Sequence, residues 1–305
     1  RAPVCAPYLS YEVCGMGPPS SGALTVGQIL SMTTSFDIKQ WGPNHPNSWQ
    51  VIGDATQLAF ADRGLYMADS DFVTMPVGLL DTNYLAERAR LITPGTPLSK
   101  AEPGQPTWKD KAVALAQDQA IELPSTSHFV IIDNKGNVVS MTTTIENGFG
   151  SRLMTNGFLL NNELTDFSFV PEADGKLVAN RVEPNKRPRS SMSPTIVMKQ
   201  GQPVLAIGSP GGSRIISYVS NALIRHLLWD EPLQDSLNSP HLINRFGTYD
   251  IEEGPSADQL ATSLQEMGYK VNRRALNSGL HAIKITPDQL IGAADPRREG
   301  VVMGR

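Results

Sequence analysis

Between Thr126 and Arg214 lies a set of hydroxyl, carboxylate and glycine positions whose types could do chemistry. Thr126 stands in Pro124-Ser125-Thr126-Ser127-His128, where a loose segment meets a strand; a hydroxyl there is ordinarily just the strand's first residue. Met141-Thr142-Thr143-Thr144 reads as β-favouring threonines on a half-buried strand. The spacing carries Thr144 across a hairpin from Thr126, where side chains meet. Gly211-Gly212 precedes a helix, so unobstructed backbone N–H groups at its positive end can stabilise an oxyanion, although Gly-Gly turns before helices are common. Arg189-Ser190-Ser191-Met192-Ser193-Pro194 is a polar loop, with Arg187 and Arg189 as surface charge. Glu163 and Asp166, three apart, form a solvated pair or a capping device after Asn162. Walker, Rossmann, paired-histidine zinc and Gly-x-Ser-x-Gly motifs are absent. His45, His128, His226, His241 and His281 are scattered, which disfavours a histidine-centred mechanism.

The elements that must position these residues divide into two styles. The first quarter reads as helices joined by turns. After the loop Gly17-Pro18-Pro19-Ser20-Ser21-Gly22, Leu24, Val26, Ile29 and Leu30 recur at helical spacing. A second helix starts after Asn47-Ser48, with one of these as cap and Val51, Ala55, Leu58 and Ala59 on one face; Tyr84 to Ile92 is a third. Thr93 to Thr107, with Pro94, Pro97, Pro103 and Pro106, is a loop.

Beyond Pro124 the pattern turns to strands: His128 to Ile132 and Val138 to Ile145 around Asp133-Asn134-Lys135-Gly136-Asn137, then Pro194 to Met198 and Val204 to Ile207. Ile215, Ile216, Val219, Leu223, Ile224 and Leu227 form a helical stripe. Ser256 as cap, Leu260, Leu264 and Met267 on one face and Gly268 as stop mark a further helix. His281 to Ile285 and Leu290 to Ala293 are closing strands. Sheets covered by helices are implied, without internal repeats.

The 305 residues, 40% hydrophobic and 18% charged, have the composition of a soluble globular protein. Lys and Arg total 26 against 30 Asp and Glu, for a formal charge of −4, which excludes a basic nucleic-acid footprint as a global feature. No apolar run reaches the roughly 18 residues of a membrane-spanning helix. Two cysteines are too few for a disulfide scaffold or a cysteine zinc site; Cys5 and Cys14 either pair in an oxidising compartment or stand as two buried thiols.

Taken together, Thr126-Ser127-His128, Asn161 through Ser168, Asn185 through Thr195 and Gly208 through Arg214 resemble the γ-glutamyltranspeptidase family in order and spacing. Pro18-Pro19-Ser20-Ser21-Gly22 and Gly292 through Arg297 extend the resemblance over nearly the whole chain. It implies an α+β fold, the four-layer αββα sandwich of the N-terminal nucleophile hydrolases. It also implies a precursor that cuts itself between Ser125 and Thr126. Residues 1–125 then belong to the large-subunit region and 126–305 to the small-subunit region, together one domain. A freed threonine carries both a hydroxyl nucleophile and an α-amine with a reference pKa of about 7.7 to 8.0, so it needs no histidine base.

By the same resemblance Thr144 hydrogen-bonds the nucleophile, and Gly211 and Gly212 hold the oxyanion. Ser190 and Ser191 bind the substrate α-carboxylate, while Glu163 and Asp166 bind its α-ammonium. Glu146 stands where many relatives carry asparagine at the same amino group, and adds negative charge to that pocket. The short stretch from Asp166 to Pro184 lacks the lid tyrosine of some bacterial members, so an open acceptor side is expected. Family precursors have a long segment upstream of the part matching Arg1, containing the arginine that pairs with the donor carboxylate; a partial sequence is the expectation.

The implied reaction is transfer of a γ-glutamyl group from glutathione or a related amide to water or an amino acid. No cofactor or metal is implied, and a periplasmic or secreted location is expected. The alternatives are a glutaryl-cephalosporin-type acylase, against which Glu146, Glu163 and Asp166 argue, and a non-catalytic binding homologue.

Overall fold

The computed structural model describes residues 1–118, 120 and 125–304. Its main sheet has six strands in the order Val4–Tyr8, Tyr11–Gly15, Thr195–Lys199, Gln202–Gly208, His281–Ile285 and Leu290–Ala294, with every neighbouring pair antiparallel. The first two strands precede Thr126 and the other four follow it.

Period-two alternation gives this sheet two different faces. Leu205 and Ile207 on one side join the buried core with the helices Gly22–Thr33 and Ile215–Leu223. Gly208 faces the other side, where a Cβ would meet the His128 ring at 2.3 Å. His128 belongs to the central hairpin, Ser125–Ile132 and Val138–Glu146, which is laid over this second face. Ser140 Oγ donates to the Ile207 carbonyl at 3.2 Å and ties the two sheets together. The hairpin turn forms as its residues dictate: Asp133 Oδ1 accepts the N–H groups of Lys135 and Asn137, and Gly136 takes φ +81°. Phe129, Ile131, Val139 and Met141 line the hairpin's outer, exposed face.

The helices bury their periodic faces much as expected. Pro46–Tyr66 is buried along nearly its whole length, and Thr82–Ala89 is capped by Asp81. The cap of the long helix is His45, whose Nδ1 accepts the Asn47 N–H at 3.1 Å, rather than Asn47 or Ser48. Pro46 at the first helical position fixes that start. The same device displaces the cap expected at Ser256: the helix runs Pro255–Glu266, its cap is Gly254, and the Ser256 side chain lies outside the described residues. Gly268 ends it with φ +105°. The stripe from Ile215 continues through a π-turn, Ile224–Leu228. Thr93 to Thr107 forms neither helix nor sheet strand.

The opening of the chain is not helical. It is the hairpin Val4–Tyr8 and Tyr11–Gly15, and Cys5 and Cys14 face each other in register and form a disulfide.

Candidate active site

Thr126 lies on the inward face of the central hairpin, directly across the ladder from Thr144. Thr126 Oγ1 donates to Thr144 Oγ1 at 3.2 Å, and the same Thr144 oxygen accepts the Glu146 N–H at 2.8 Å. The register slips between Ser125 and Thr126, so the peptide bond joining them sits at a bulge. Such irregularities locally re-aim side chains. Glu146 itself takes φ +71°, an uncommon conformation for a non-glycine residue. Its Oε2 accepts from Asn162 Nδ2 at 2.5 Å.

His128 is two residues beyond Thr126 on the same face, buried, with Nδ1 2.9 Å from Thr142 Oγ1. Burial pushes its pKa down to about 3, helped by His281 nearby, so the ring is neutral at physiological pH.

The strand Gln202–Gly208 delivers the glycine loop to the same place. Gly211 has φ +139° and Gly212 φ +60°, and a Cβ on Gly211 would lie 2.6 Å from the Tyr218 ring. Only glycine fits both the backbone angle and that approach.

Seven of the singled-out residues meet in one narrow cavity: Thr126, Thr144, Glu146, Asp166, Ser190, Ser191 and Gly212. Met192 and Ile215 complete its lining. Gly211 and Glu163 are not among the lining residues, and Glu163 sits at the start of the short turn Glu163–Asp166. Ser125 pairs with Glu146 through the ladder, and its side chain lies outside the described residues.

The loop carrying Ser190 and Ser191 is fixed from the first part of the chain. Ser21 donates to the Ser190 carbonyl through both its N–H and its Oγ, each at 2.8 Å, and Ser20 Oγ donates to the Met192 carbonyl at 2.5 Å. Neither flanking arginine is free surface charge: Arg189 is buried, and the half-exposed Arg187 is held by carboxylates. Arg187 forks onto Asp69 at 2.7 and 2.6 Å, and buried Arg189 pairs with Asp118 at 2.8 Å. A guanidinium has enough donors to hold a carboxylate and a carbonyl at once, which suits it to pinning a loop from inside. Arg189 does this, with Nη1 reaching the Arg63 carbonyl at 3.2 Å. Asn180 joins the same network, donating to the Asp166 carbonyl at 2.8 Å and to Asp118 at 3.1 Å.

Two neighbours of the site had no sequence signal, because nothing near them in the chain distinguishes them. Arg298 Nη1 donates to the Thr126 carbonyl at 3.1 Å, and lines with Asn277 and Phe149 a second cavity of about 470 Å³ beside the same two threonines. Arg63 Nη2 donates to Ser191 Oγ at 2.7 Å.

Helices, an antiparallel sheet and a threonine-bearing hairpin stacked upon it define an α+β sandwich of the N-terminal nucleophile hydrolase class. The cephalosporin acylase of Bacillus halodurans shares this fold, with a TM-score of 0.84 and 22% identity, over 99% of this chain and 52% of that one. A family profile described as gamma-glutamyltranspeptidase matches residues 1–305, and the chain belongs to that family. The glutathione hydrolase proenzyme of Bacillus subtilis (strain 168) is 36% identical over 99% of this chain and 52% of its own length. That of Escherichia coli (strain K12) is 35% identical over 97% and 51%. The chain thus spans about half the length of these relatives.

Proposed function

We propose that this chain carries the catalytic centre of a γ-glutamyltransferase and glutathione hydrolase made as a self-cleaving proenzyme. One observation carries the reading: Thr126 Oγ1, hydrogen-bonded to Thr144, opens on a cavity that also holds two serine hydroxyls and two carboxylates. That set matches the two ends of a zwitterionic amino acid, and the names of the relatives point the same way.

In the cleavage step Thr126 Oγ1 attacks the Ser125 carbonyl, the C–N bond breaks as the acyl group moves to oxygen, and water hydrolyses the ester. Residues 1–125 and 126–305 become the large- and small-subunit parts of one domain. The new α-amine then takes the Thr126 hydroxyl proton, and Oγ1 attacks the γ-carbonyl of the donor. Gly211 and Gly212 N–H groups stabilise the oxyanion. The α-ammonium returns its proton to the leaving amine, and water or an amino-acid amine resolves the ester. Ser190 and Ser191 donate to the donor's α-carboxylate. Asp166 and Glu146 accept from its α-ammonium, and Glu163, on the same short turn as Asp166, adds negative charge nearby.

These carboxylates favour a donor with an α-ammonium over a glutaryl amide, which offers them no positive charge. The Cys5–Cys14 disulfide supports a periplasmic or secreted location. Denaturing gels with terminal sequencing test the cleavage: two fragments are expected, the second beginning at Thr126, and Thr126→Ala is expected to stay whole and inactive. Splitting and glutamyl-amide turnover by Thr126→Ala, or faster turnover of the glutaryl analogue by the wild type, overturns the reading.

A further inference from the structure

Arg63 lies in the last turn of the helix Pro46–Tyr66, only 4% exposed, with its guanidinium 5.5 Å from the Phe60 ring centre. Its Nε donates to Ser21 Oγ at 2.8 Å and its Nη2 to Ser191 Oγ at 2.7 Å. Ser21 in turn holds the Ser190 carbonyl. One buried fork therefore touches both the clamp on the serine loop and one of the two serines in the cavity. A buried cation is expensive unless it meets dipoles or a counter-charge.

A serine hydroxyl that accepts from a guanidinium is fixed in its rotamer. It is also polarised, so its own proton becomes a stronger donor. We infer that Arg63 is a positioning residue for donor recognition: it fixes Ser191 as a hydrogen-bond donor to the substrate's α-carboxylate and places a positive charge directly behind that hydroxyl. The inference rests on the γ-glutamyl reading above and adds to it a residue on the other side of the Ser125–Thr126 bond.

Two donors separate this role from a structural one: a γ-glutamyl anilide, and the 4-aminobutyryl anilide that keeps the amine and chain length but lacks the α-carboxylate. Rates are normalised to the cleaved fraction seen on a gel. For Arg63→Gln, kcat/KM on the γ-glutamyl donor is expected to fall roughly 10- to 100-fold, mostly through KM, as for loss of a charge-assisted hydrogen bond. On the 4-aminobutyryl donor it is expected to change less than about 3-fold, since that donor never engages Ser191. The double variant with Ser191→Ala is expected to be no worse than Ser191→Ala alone.

Arg63→Lys keeps the charge but not the fork and carries the test if the glutamine variant fails to fold; an intermediate preference between the donors is expected. Equal losses on both donors, strictly additive effects with Ser191→Ala, or undiminished discrimination by Arg63→Lys overturn the inference. A wild-type protein that turns over neither donor instead overturns the γ-glutamyl reading on which it stands.

Discussion

Thr144 Oγ1 lies between the Thr126 hydroxyl and the Glu146 N–H, so it holds the proposed nucleophile at one end and the bend into Glu146 at the other. Its hydrogen bond orients Thr126 Oγ1 without contacting the rest of a donor. Thr144→Ala is therefore expected to lower kcat roughly 10- to 100-fold with little change in KM, as for loss of a buried hydrogen bond. Thr144→Ser should recover most of the loss, and steady-state kinetics on the cleaved protein checks both. Read singly, the site residues were ordinary: a strand-starting threonine, a polar loop, a glycine turn. Their order along the chain made them legible, because only together do they match one cavity. Arg63 and Arg298 reach partners 128 and 172 positions away, and no local pattern encodes such a contact.

The meeting of strand Gln202–Gly208 with the central hairpin depends on a glycine packed closely against a histidine ring. That ring must be neutral to be buried. The folded pKa of His128, about 3, lies below its unfolded value, so between them the unfolded chain binds the extra proton. Its contribution to stability is complete above about pH 6.5 and is lost as pH falls towards 3. Relative to His128→Asn, the wild type is expected to lose about 2 kcal/mol of its stability difference between pH 7 and pH 5, measured by denaturant unfolding. No pH dependence of that difference would contradict the assignment.

Most helices and later strands could be read from periodicity and turn residues. The first hairpin could not, because its tight turn is Leu9-Ser10, with Leu9 at φ +56° and none of the usual Asn-Gly or Asp-Gly chemistry, and Pro7 interrupts the strand pattern. The two displaced caps have the opposite cause: proline at the first helical position moved the start away from better capping residues.

Across the whole molecule, the residues before and after Thr126 share one sheet through the pairing of Tyr11–Gly15 with Thr195–Lys199. The disulfide stiffens the outer pair of that sheet. Replacing Cys5 and Cys14 with alanine opens a loop of nine-residue separation, and a chain-entropy argument puts the loss at about 2 to 3 kcal/mol. A lowered thermal midpoint that matches the wild type under reductant would confirm it. The layered architecture was reachable from sequence only through family likeness, since helices and strands in this order admit many stackings.

A break before Thr126 would turn the pairing of Tyr11–Gly15 with Thr195–Lys199 into a seam between two polypeptides. The six-stranded sheet would then be shared, two of its described strands lying before the break and four after it, with the backbone hydrogen bonds of that seam in place of the lost covalent link. Parting the two sides would bare the backbone groups of both seam strands, so the proposed cut is expected to leave them associated.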